Sequence, residues 1–78
     1  MITEYVVVQQ FDTLGLSETI FPEYDSAYEH YMKLRLNRPR FVIQIVLEKR
    51  VKQTVVCTPL YRHDFELDNE EELYNEYN

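Results

Sequence analysis

The residues with direct chemical potential are few. His63-Asp64 sets an imidazole beside a carboxylate, the pairing used for proton transfer, and Cys57 is the single thiol. Neighbours in a strand point to opposite faces, so His63 and Asp64 do not meet, and no Ser or Cys stands in a context that would make it a nucleophile. His30 follows Glu29 in a helical pattern and is expected to be solvated; neither histidine has a companion at metal-ligand spacing. Asp64, Glu66, Asp68 and Glu70 alternate as calcium ligands do, but lack the glycine and the terminal ligand of a calcium loop. With one glycine in 78 residues, a glycine-rich phosphate cradle is absent. Cys57, inside Val55-Val56-Cys57, reads as a buried structural thiol. These residues predict a protein that is not an enzyme and carries no cofactor or metal.

Charge is the stronger signal. Residues 1–29 hold six acids and no Lys or Arg. Residues 30–62 hold all eight bases against Glu48 alone, and residues 63–78 hold seven acids and no base. The net −6 therefore conceals blocks of −6, +7 and −7, which point to binding through charged surfaces. One candidate surface is the acidic C-terminal segment, 64–78. There Asp64, Glu66, Asp68, Glu70, Glu71 and Glu72 would face a basic partner, with Tyr74 and Tyr77 as anchors within the charged rim. The other is Lys49, Arg50 and Lys52, placed on a hairpin where they would contact phosphates.

The elements that must position these groups follow from periodicity. Tyr5 to Phe11 is a β-branched and aromatic strand, turned by Asp12-Thr13-Leu14-Gly15, with Gly15 supplying a positive φ. Glu18 to Phe21 returns and stops at Pro22. Ser26 with Glu29 forms a capping box, with Asp25 as a competing cap, and Ala27, Tyr31 and Leu34 continue at helical spacing. The helix is expected over 26–36 and broken by Asn37-Arg38-Pro39. Phe41, Ile43, Ile45 and Leu47 alternate with Val42, Gln44, Val46 and Glu48 as the clearest strand. Lys49 to Lys52 connects it to a strand over 54–58, which Pro59 places at an edge or a bulge. The fold class is α+β: a small single domain over 1–78, ββαββ, one helix packed on an antiparallel sheet. The segment 64–78 is an acidic tail, or a short helix capped by Asp68 with Glu71 or by Asn69 with Glu72.

Taken whole, a short, acidic, tyrosine-rich α+β chain resembles in type, though not through a shared motif, the small host-takeover inhibitors that bacteriophages encode. Some of these imitate DNA and block sliding clamps, uracil-DNA glycosylases, nucleoid proteins or nucleases, often as dimers. The resemblance implies a non-enzymatic inhibitor whose partner is a host protein with a basic DNA-binding surface. A homodimer is expected, through the face of Val42 and Val46 or through an edge strand. The absence of a long apolar stretch argues against a membrane span, and Met1 to Gln10 lacks the character of a secretory leader, which points to the cytoplasm. The alternatives are a nucleic-acid binder using Lys49, Arg50 and Lys52, and a small structural or assembly protein.

Overall fold

The computed structural model describes residues 2–51, 56–65 and 69–72, with Val56 and 69–72 as backbone alone. Its elements are β1 (Thr3–Phe11), β2 (Leu16–Phe21), α1 (Tyr24–Leu36), β3 (Val42–Val51), β4 (Val56–Asp64) and β5 (Asn69–Glu72). The strands form one antiparallel sheet in the order β2-β1-β3-β4-β5, with α1 packed on one face over β1 and β3. The ββαββ order and the α+β class are as the sequence predicts.

The acidic segment departs from expectation. Residues 69–72 form neither a tail nor a helix but the outermost strand, with Asn69 opposite Asp64 and Glu72 opposite Tyr61. A helix N-terminus and a strand edge both tolerate glutamates, and here the ladder groups that β4 offers decide between them. Lys52, Glu66, Asp68, Tyr74 and Tyr77 lie outside the described residues.

The core sits between α1 and the sheet. Val7, Ala27, Tyr31, Val42, Ile45 and Leu47 are fully buried, with Tyr5, Phe11, Phe21, Tyr24, Tyr28, Leu60, Tyr61 and Phe65 packed around them. The helix begins at Tyr24, two residues ahead of the expected cap; Glu23 is its N-cap, in extended conformation, without a side-chain bond. Ser26 therefore lies inside the first turn and the capping box does not form. The earlier start has a packing return: Tyr24 stacks on Tyr28 at 5.7 Å and meets Tyr5 edge-on at 5.6 Å. The helix ends at Leu36, where the Asn37 backbone N–H donates to the Lys33 carbonyl at 3.0 Å, two residues before Pro39.

Two register shifts set which side chains face inward. Gln10 pairs with Gln44 but Phe11 with Val42, so Ile43 is an extra residue in β3. The alternation expected from Phe41 slips at this bulge. Val42 enters the core and Phe41 stands outside it, 61% exposed with φ 67. In β4, Leu47 pairs with Tyr61 but Glu48 with Pro59, which bulges Leu60 beside the proline, as the sequence suggests. The β1–β2 turn also differs: Leu14, not Gly15, takes the left-handed conformation, at φ 71.

Candidate protein interface

Register assigns every strand residue to one of two faces. Val7, Leu47 and Tyr61 form a row beneath the helix, so their neighbours Val6, Glu48 and Arg62 belong to the opposite, open face. That face carries Leu16, Glu18 and Ile20 from β2, Val6 and Val8 from β1, Val46, Glu48 and Arg50 from β3, and Cys57, Arg62 and Asp64 from β4.

Arg50 organises this face. Its Nη1 and Nη2 donate to the two carboxylate oxygens of Glu18 at 3.3 and 2.7 Å, and its Nε donates to Glu48 at 3.0 Å. Glu18 lies two strands away, so the Arg50 side chain spans β1. Val6 is opposite Ile20 on one side and Glu48 on the other, which puts it beneath the line from Arg50 to Glu18. This accounts for a valine that is 0% exposed on the face opposite α1. The Arg50 fork, and secondarily its charge, hold the Glu18 carboxyl below its ordinary value, while the hydrogen bond with Glu18 drives Arg50 above its own.

This arrangement decides the role of the expected basic hairpin. Lys49 and Arg50 are strand residues, opposite Thr58 and Cys57, not a turn. Lys49 faces the helix side beside Tyr5, and the Arg50 guanidinium is committed to two carboxylates, so this pair does not form a free phosphate-binding tip. Cys57 is exposed, contrary to the expected buried thiol, because its position across from Arg50 puts it on the open face. Val42, expected at a dimer surface, is fully buried, whereas Val46 does lie on the open face. His30 is half-buried against Phe21 at 5.3 Å rather than solvated.

Of the acidic residues, Asp64 ends β4, half-buried on the open face, while His63 is buried on the helix side against Phe65, so the two are separated as strand geometry requires. Glu70, Glu71 and Glu72 are consecutive positions of β5, opposite His63, Arg62 and Tyr61. The sheet thus ends in an extended acidic strand at one margin and in β2 at the other.

No family model, curated protein or solved structure matches this chain. Among the described residues, no helix is long and apolar enough to cross a membrane. The residue that sequence reasoning missed is Glu18. Its signal was the alternation of Leu16, Glu18 and Ile20 with Ser17 and Thr19, hidden by starting the strand at Glu18.

At the end of the sheet where β3 begins, Arg38 donates from Nε to the Val42 carbonyl at 2.7 Å and lies over Phe65. Arg40 lies over Phe41 at 5.5 Å, and the Phe41 carbonyl accepts from the Asp12 N–H at 2.9 Å, tying the loop after α1 to the β1–β2 turn. Beneath the helix, burial first and the neighbouring Tyr61 hydroxyl second hold Tyr24 above the usual phenol range. This tyrosine layer is packing rather than a site.

Proposed function

We propose that this chain is a non-enzymatic binding protein that occupies the basic, DNA-binding surface of a DNA-handling protein with its acidic C-terminal edge. The observation that carries the reading is β5: Glu70, Glu71 and Glu72 follow one another along the outermost strand of the sheet. A strand advances ~3.3 Å per residue and alternates faces, so Glu70 and Glu72 occupy one face ~6.6 Å apart with Glu71 on the other; each face carries about half the axial charge density of one strand of duplex DNA, which has about one charge per 3.4 Å. Asp64 on β4 extends the acidic margin. The commitment of Arg50 to Glu18 and Glu48 supports the same reading, since it spends part of the central basic block inside the molecule.

The type resemblance to phage inhibitors favours a clamp, glycosylase or nuclease as the target class, met in the cytoplasm. The test is direct binding to purified members of that class, with duplex DNA as competitor and salt as a variable. Binding is expected to be displaced by DNA and to weaken steeply as salt rises. The triple variant E70K/E71K/E72K, with its circular dichroism unchanged, is expected to lose it. Binding that survives the triple reversal, or that DNA does not displace, overturns the acidic-edge reading.

A further inference from the structure

The margin of the sheet opposite β5 is built for self-pairing. At the start of the β1–β2 ladder the Phe11 N–H donates to the Gly15 carbonyl at 2.9 Å, while the next residue, Asp12, donates toward the β3 side, to Phe41. Antiparallel ladders alternate their bonding residues, so Ser17, Thr19 and Phe21 bond to β1. The backbone N–H and C=O of Leu16, Glu18 and Ile20 then point outward, along an edge that no strand among the described residues covers.

Proteins commonly protect such an edge with a charge. The one charge on β2 is Glu18, and Arg50 pulls its carboxylate back across the sheet and neutralises it. What remains at the edge is apolar: Leu16 is 63% and Ile20 53% exposed, on the same face. We propose that β2 is a homodimer interface, pairing antiparallel with β2 of a second copy about a two-fold axis through Glu18.

The register follows from the bonding pattern. With Glu18 opposite Glu18 of the second copy, Leu16 falls opposite Ile20 and Ile20 opposite Leu16, and every outward N–H and C=O of the three residues finds a partner. Moving the axis to Thr19 leaves Leu16 facing Pro22, which has no N–H to give, and strands the Leu16 C=O. Moving it to Ser17 strands those of Ile20. In the Glu18 register the two exposed aliphatic residues cover each other across the join, while Ser17 meets Thr19 on the helix side. Two carboxylates directly opposite would oppose the dimer, and the Arg50 fork of each copy is what removes that opposition. The proposal is independent of the acidic edge, which lies at the far margin of the sheet.

Sedimentation equilibrium of the full chain tests it. The 9.5 kDa chain is expected to run at about twice that mass. I20K, checked for an unchanged circular dichroism spectrum, is expected to be monomeric. I20P is a second variant: it removes an outward N–H while sparing the ladder to β1, and is expected to weaken the dimer at least tenfold. A cysteine scan on C57S reads the register: E18C is expected to cross-link to itself on mild oxidation, since dyad-paired Cα atoms ~5.5 Å apart lie within disulfide reach, and T19C is not. A monomer at all concentrations, a dimer unchanged by both Ile20 substitutions, or preferential cross-linking of T19C overturns the proposal.

Discussion

Exchanging the roles of two adjacent turn residues probes the backbone of the β1–β2 connection. Leu14 holds φ 71 while 86% exposed, and Gly15, its neighbour, is not left-handed. A left-handed non-glycine residue costs ~1–2 kcal/mol, and placing glycine there costs ~0.5–1 kcal/mol in chain entropy. The buried seventh of the leucine contributes at most about 0.4 kcal/mol by transfer, so L14G is expected to stabilise by ~0.5 kcal/mol. At Gly15 an added Cβ meets only Thr13 Oγ1 at 3.8 Å, an ordinary contact, so G15A is expected to gain ~0.4–1 kcal/mol by narrowing the unfolded ensemble. Together, at ~0.9–1.5 kcal/mol, they raise the melting temperature by about 4–12 °C in a chain of this size. Reversible thermal melts of L14G, G15A and the double variant, followed by circular dichroism at one protein concentration, measure this. If G15A lowers Tm by several degrees and L14G does not raise it, the left-handed residue is Gly15 and the turn geometry argued above is wrong.

L47A, in the row shared with Val7 and Tyr61 beneath the helix, is expected to cost ~2–5 kcal/mol by urea denaturation, enough to unfold much of a small domain. R50M is expected to cost about 1 kcal/mol, since the Glu18 and Arg50 side chains remain 42% and 27% exposed and solvent screens their fork. Because the Glu18 carboxyl is lowered from 4.5, the stabilisation is complete above that pH and disappears as pH falls through the lower folded value. The stability gap between wild type and R50M should therefore be constant from pH 7 to about 5 and narrow progressively as pH falls below 4.5; a gap that widens in acid refutes the assignment.

The elements with uninterrupted patterns were legible from residue types. Val6, Val7 and Val8 announce β1, and Ala27, Tyr31 and Leu34 announce the helix face. The features that stayed hidden have no local side-chain signature. The Ile43 bulge looks like unbroken alternation, so Phe41 is read into the core and Val42 out of it, although the backbone does the reverse. The helix start at Tyr24 is set by contact with Tyr5, a residue distant in sequence, against a good capping pattern at Ser26. The glutamates of β5 have low strand propensity and pair because β4 is there to receive them. Arg50 was legible as a cation but not as a strut, since its partner Glu18 is 32 residues away.

The strand order also shapes how the chain reaches its fold. The β1–β2 hairpin and the β3–β4 pair are each local, but the sheet closes only when β1 docks on β3 and brings Tyr5 opposite Lys49. That pairing closes a long loop through the helix before it returns any contact, so it is the expected slow step in folding. Until it forms, β1 and β3 each present a second unsatisfied edge, and the early hairpins are exposed to mispairing with other chains. Replacing Val8 or Val46, which meet at the centre of that seam, should therefore slow folding more than equal changes in the outer half of β2.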